Sequence, residues 1–167
     1  MIRDWFFLCR NAARIGALSG GGVVVRLRPM NTNDQGMMSL EEAREFFSGD
    51  RFATENGMEI VERDADHAVT AMTLARRHLN ANGGIMGGAI FTLADFAFAA
   101  IINDRNRKAV AQQVSINFLS APKGSRLVAT SHYRRNGRSS CVVVVDVADD
   151  TGRDVAQFVG LGFKLQG

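Results

Sequence analysis

A chain of 167 residues with 46% hydrophobic and 22% charged side chains has the size and composition of one globular domain with a single core. No apolar run reaches the roughly 18 residues of a membrane span, so a bilayer-crossing helix is not expected. The formal charge of +3 points to nucleic acid only until it is located: Arg3, Arg10, Arg14, Arg26 and Arg28 outweigh Asp4 and Asp34 in residues 1–36, and the rest of the chain is balanced. Neither nucleic acid nor membrane is an expected partner. Cys9 and Cys141 lie far apart, the second inside a valine-rich run, which fits a reducing, cytoplasmic setting. They and His67, His78 and His132 show no metal-ligand spacing, and no metal site is expected.

Residues 1–36 read as a poorly structured leader or a start placed too far upstream. Trp5-Phe6-Phe7-Leu8-Cys9 is cut off by Arg10, and Ser19-Gly20-Gly21-Gly22 is a flexible stretch. A secretory signal needs a longer apolar core; an arginine-rich, acid-poor leader resembles a transit peptide only weakly. Met37 and Met38 stand directly before a well-formed helix start, and the domain is expected to occupy residues 37–167. In Ser39-Leu40-Glu41-Glu42 the serine and Glu42 have capping-box spacing. Leu40, Ala43, Phe46 and Phe47 then make an apolar stripe, and Ser48-Gly49-Asp50 ends the helix.

From Gly57 the period becomes two. Met58 and Ile60, the turn Asp64-Ala65-Asp66, and Ala68 to Leu74 predict a hairpin. A loop over 75–86 leads into a helix from about Gly88 to Ile102. Four strands follow, at about 109–119, 126–135, 138–148 and 153–165. Asn136-Gly137 is a strong hairpin signal, with both residues expected at positive φ. The pattern is α+β: an antiparallel sheet around one long, very apolar helix. One sheet leaves a helix face and its own edges open, so a homodimer at least, with a tetramer also open, is expected.

That helix carries a single carboxylate, Asp95, within Gly87-Gly88-Ala89-Ile90-Phe91-Thr92-Leu93-Ala94-Asp95-Phe96-Ala97-Phe98. A carboxylate carried into such surroundings is costly unless paired, hydrogen-bonded or shifted towards neutrality, which makes it the expected chemical centre. Gly87 and Gly88 bring unpaired backbone N–H donors to the helix start, where the dipole favours a developing negative charge. Eight residues separate Gly87 from Asp95, about 12 Å along the axis, too far for one chain's pair to act on one carbonyl. The acid of one subunit facing the helix start of another closes that gap.

The run His78-Leu79-Asn80-Ala81-Asn82-Gly83-Gly84-Ile85-Met86-Gly87-Gly88, continuing through Phe91 to Leu93-Ala94-Asp95, resembles the signature of the hotdog-fold acyl-CoA thioesterases of the phenylacetate-degradation (PaaI-like) type. Ser115-Ile116-Asn117-Phe118-Leu119, ahead of Pro122, fits that family's next strand, so the resemblance covers about residues 38–167. It implies a sheet wrapped around the helix, dimers with active sites at the subunit interface, and hydrolysis of a coenzyme A thioester without a further cofactor. By this likeness Asp95 is nucleophile or general base, the Gly87 N–H polarises the thioester carbonyl, and Asn80 places substrate or water. Met86 stands where many members carry histidine, and a methionine donates no hydrogen bond.

Phe91, Phe96 and Phe98 read first as core residues; Phe91 and Phe98 share the face of Asp95 and, with Met86 and Gly88, are also expected to line the substrate site, and Gly137, Arg138 and Ser139 to meet the coenzyme A nucleotide, with Arg138 as a phosphate contact. His78 reads as a structural histidine. The glycines of residues 83–88 lack dinucleotide or P-loop spacing. Two other classes compete: a protein that binds acyl-CoA without hydrolysing it, and a non-catalytic dimerisation module.

Overall fold

The computed structural model describes residues 37–165; the expected leader of residues 1–36, with Cys9, lies outside the described residues. Helix α1 (Leu40–Phe47) begins with the expected reciprocal cap: Glu42 N donates to Ser39 Oγ at 3.3 Å and Ser39 N to Glu42 Oε2 at 2.8 Å. Ala43 and Phe47 are buried, whereas Phe46, expected in the same stripe, stays 45% exposed with its ring edge against Phe47. A short helix α2 (Arg51–Glu55), not predicted from sequence, continues the chain before Gly57 turns it at φ +79°. At five residues it has no amphipathic period long enough to read.

Strands β1 (Met58–Arg63) and β2 (His67–Thr73) form the expected hairpin. Its turn is set by Asp64, whose Oδ1 accepts from the backbone N–H groups of Asp66 and His67. A single 3-10 turn (Arg76–His78) interrupts the following loop, and helix α3 runs Gly87–Ile102. Strands β3 (Ala109–Phe118), β4 (Arg126–Asn136), β5 (Ser140–Asp149) and β6 (Asp154–Lys164) complete one antiparallel sheet in the order β1-β2-β4-β5-β6-β3.

The sheet wraps α3. Leu93, Ala94, Ala97, Phe98 and Ile101 of the helix are buried with Val143, Val145, Val155 and Phe158 of the sheet. Gly160 lets β6 approach closely, because a Cβ there would lie 2.6 Å from Phe98 Cε2. Gly88, Thr92, Asp95 and Ala99, spaced along one side of α3, remain exposed or half-buried in the single chain. The helix keeps one open stripe, the face that a single sheet was expected to leave uncovered, and Asp95 is on it.

The two edges of the sheet differ. Arg44 of α1 donates to the Ile60 carbonyl at 2.8 Å on β1, whereas β3 pairs only with β6 among the described strands. The β4–β5 hairpin forms where expected, but not with the expected turn. The connection is Gly137-Arg138-Ser139, and among the described residues the glycines at positive φ are Gly57, Gly83 and Gly152, not Gly137. A bulge at Tyr133/Arg135 shifts the register, and Lys164 Nζ binds the Gly137 carbonyl and Asn136 Oδ1, so the longer loop is held without a left-handed glycine.

Candidate active site

The start of α3 is assembled by its preceding loop. Buried His78 accepts from Ala75 N at Nδ1 (3.0 Å) and meets the Asn56 carbonyl with Nε2 (3.0 Å), which assigns the proton to Nε2 and the residue to structure. Its own carbonyl takes the N–H of Met86 at 2.8 Å. Asn80 Oδ1 accepts from Asn82 N (2.9 Å) and Gly84 N (3.1 Å), closing the turn in which Gly83 takes φ +78°. The Asn80 side chain therefore shapes the loop, with Nδ2 left to donate.

Met86 is the N-cap position of α3 and supplies no side-chain cap. Ala89 and Ile90 donate back to its carbonyl, while the N–H groups of Gly87 and Gly88 have no acceptor among the described residues. The glycines are flanked by apolar side chains. A Cβ on Gly87 would lie 3.1 Å from Phe118 Cζ, and one on Gly88 would lie 3.4 Å from Met86 Cε. Beside Gly87 opens a cleft of about 450 Å³, lined by Asn80, Ile85, Ile90, Phe118 and the segment Leu119 to Pro122. Phe118 and Leu119, 55% and 57% exposed, form an apolar wall beside the Gly87 donor. That combination suits an apolar group attached to a polar, electron-rich atom.

Asp95 is half-buried on the open stripe and makes no hydrogen bond or ion pair with the described residues. Burial, then repulsion from the Asp50 carboxylate ahead of α2, pushes its carboxyl above the ordinary aspartate value. The Asp50 neighbourhood was missed from sequence; it follows from the α1–α2 corner folding back, with Phe47 edge-on to Phe96 at 5.8 Å.

Not every expected site residue gathers here. Phe98 is 1% exposed and packs with Phe91 on Phe158, so Phe98 is core; Phe91, half-buried, sits at the margin. Residues Gly137, Arg138 and Ser139 lie beyond the opposite end of α3, where Tyr133 of the same hairpin bonds the Ile101 carbonyl. The helix separates them from Gly87 by about 22 Å at 1.5 Å per residue. One chain does not bring them to the cleft. The Leu119–Pro122 wall was read from sequence only as a strand end ahead of a proline, without a place in the site.

The comparisons with known proteins agree with this architecture. Residues 82–156 match the family described as Thioesterase superfamily. The acyl-coenzyme A thioesterase PaaI of Escherichia coli K12 is 31% identical over 128 residues, covering 76% of this chain and 91% of that protein. The structure of E. coli PaaI, from the phenylacetic acid degradation operon, matches at a TM-score of 0.67 and 29% identity, over 77% of this chain and 98% of that one. A hypothetical thioesterase protein of Streptococcus pneumoniae TIGR4, solved with coenzyme A, matches at 0.65 and 28%, over 71% and 96%. The chain belongs to the thioesterase superfamily, and its fold is the hotdog fold, as the resemblance in its sequence implied.

Proposed function

We propose that this protein hydrolyses acyl-CoA thioesters, with an aryl or a short to medium acyl group, to free acid and coenzyme A. The observation that carries the reading is the N–H of Gly87, without an acceptor among the described residues, at the mouth of an apolar cleft, with the likewise unpaired N–H of Gly88 next to it in the chain. In the reaction the thioester carbonyl oxygen takes up negative charge as a nucleophile adds to the carbon, and fixed donors with a helix dipole behind them stabilise it. The C–S bond then breaks and coenzyme A leaves as the thiolate. Coenzyme A enters as part of the substrate, and no other cofactor takes part.

Asp95 is the base that takes the proton of the attacking water, or the nucleophile itself; its raised pKa suits the first role at neutral pH. Because Gly87 and Asp95 of one chain are about 12 Å apart along α3, the site needs two subunits. The open helix stripe and the single-paired β3 edge support a dimer in which Asp95 of the partner subunit faces Gly87. Antiparallel helices in such a dimer also carry each Gly137–Ser139 hairpin towards the other subunit's cleft, where Arg138 meets the nucleotide phosphates. Among the described residues no helix is long and apolar enough to cross a membrane, and Cys141 is a free, buried thiol, which supports a cytoplasmic location.

The test is thiol release from phenylacetyl-, benzoyl-, short- and medium-chain CoA thioesters. Release that disappears in a folded Asp95→Asn dimer is the expected result. Full turnover in that variant would sink the mechanism, and silence from the native protein with coenzyme A still raising its melting temperature would favour a binding protein.

A further inference from the structure

The Leu119–Pro122 wall of the cleft is held from behind. Leu119 N and Ser120 N both donate to the Val155 carbonyl, Ser120 Oγ to the Asp154 carbonyl, and Arg153 Nε to the Ala121 carbonyl at 3.1 Å. Just past Pro122 the chain meets Asp149, a fully buried carboxylate at the end of β5. Its Oδ2 accepts from Lys123 N (2.7 Å) and Gly124 N (3.0 Å); its Oδ1 accepts from Thr151 N (2.9 Å), Thr151 Oγ1 (2.6 Å) and Arg153 N (3.1 Å). One carboxylate therefore locks the β5–β6 turn to the strap that walls the cleft, and it touches nothing inside the cleft.

We infer that Asp149 is a positioning residue for substrate binding, setting the Leu119–Pro122 wall opposite the Gly87 donors through the amides of Lys123 and Gly124. Five donors among the described residues bond its two oxygens, and an ionised carboxylate accepts from them all. Burial opposes ionisation, but the Thr151 hydroxyl and the backbone N–H groups of Lys123, Gly124 and Arg153 prevail and hold the carboxyl below the ordinary range. An asparagine must turn its NH₂ against one set of donors. Turned against Oδ2's pair, it frees the strap while keeping the turn. Asp150 is the internal control: it bonds Ser125 N and Oγ, one residue further from the cleft.

The inference rests on the cleft being the acyl-CoA site, and the test separates the two. Phenylacetyl-CoA binding is measured by calorimetry in the Asp95→Asn background, alone and combined with Asp149→Asn or Asp150→Asn, with amide exchange of residues 119–125 followed by mass spectrometry. Asp149→Asn is expected to weaken binding about tenfold and speed exchange in the strap, and in the native background to raise KM by a similar factor with kcat held within about twofold. Asp150→Asn is expected to leave affinity unchanged. Arg153→Ala, which frees the Ala121 carbonyl from the other side, is expected to act in the same direction should Asp149→Asn fail to fold. An unchanged dissociation constant with faster exchange would overturn the positioning role alone. Absence of phenylacetyl-CoA binding in the Asp95→Asn parent would overturn the functional reading, and the inference with it.

Discussion

The two ends of helix α3 are treated in opposite ways. At the C-terminal end side chains close the helix: Arg63 donates to the carbonyls of Ala100 and Asn103 and pairs with Asp104 at 2.9 Å, Tyr133 and Arg107 donate to Ile101, and the Asn103 side chain donates to Ala99. Arg63, with a side chain 1% exposed, also takes the Met38 carbonyl and so ties the N-terminal segment to the same point. The cations complement the negative pole of the helix. At the N-terminal end no side chain caps α3, and Gly87 and Gly88 keep their donors free. The helix is tied down where it ends and left open where it begins.

Substitutions at each end sharpen that contrast. Arg63→Ala strips a buried cation from Asp104 and from three carbonyls, and is expected to lower unfolding free energy by about 3–5 kcal/mol in urea denaturation. Gly87→Pro does the reverse. Proline suits the first helical position, and Met86 before it already has the extended φ −65°, ψ 130° that a proline demands. The exposed Phe118 ring must shift by a few tenths of an ångström. The variant is expected to fold while kcat falls by about 10²- to 10³-fold, as for loss of one oxyanion donor. Undiminished kcat would remove Gly87 from the chemistry.

A smaller effect separates the two acids. Asp95 binds its proton more tightly folded than unfolded, so its contribution to stability falls as pH rises through its raised pKa. Asp95→Asn is therefore expected to raise the melting temperature at pH 7 and to make no difference below the ordinary aspartate value. An equal gain at every pH would show that charge is not the cause. The same carboxylate must ionise to act as a base, so the acid limb of kcat/KM should lie above 3.8 and move down in Asp50→Asn.

The smallest effect lies at the tip of the hairpin that carries Arg63. His67 sits 2.7 Å from Asp64 and 3.0 Å from Glu62. The Asp64 hydrogen bond foremost, against burial, raises the His67 pKa above 6.5, and this stabilisation is present below 6.5 and lost as pH rises through the folded value. For Asp64 burial opposes the shift, but His67 brings it down to about 2, so its share is present above 3.8 and fades as pH falls through about 2. A His67→Gln variant should lose the alkaline part of the native melting-temperature slope.

Much of this was legible in the sequence. The capping box at Ser39, the hairpin turn at Asp64, all six strands and the limits of α3 follow from local chemistry: side chains bonding neighbouring amides, and periods of two or 3.6. Gly87, Asn80 and Asp95 stood out because a polar group or a glycine pair in an apolar run has few structural excuses. What misled was equally local. Asn136-Gly137 has the composition of a tight turn, yet a bulge and Lys164 from a distant strand reset it; Phe98 shares a helix face with Asp95 by spacing, yet β6 glycines draw it into the core.

The sequence by itself determined α1, α3, the six strands, the fold class and the residue types at the helix start, because each is written in neighbours within a few positions. Only the tertiary structure decided that Arg138 stands at the far end of α3 from Gly87, that Asp50 comes near enough to repel the Asp95 carboxylate, and that Asp149 bonds the amides of Lys123 and Gly124. Those relations join residues tens of positions apart, and they exist only once the sheet has closed around the helix.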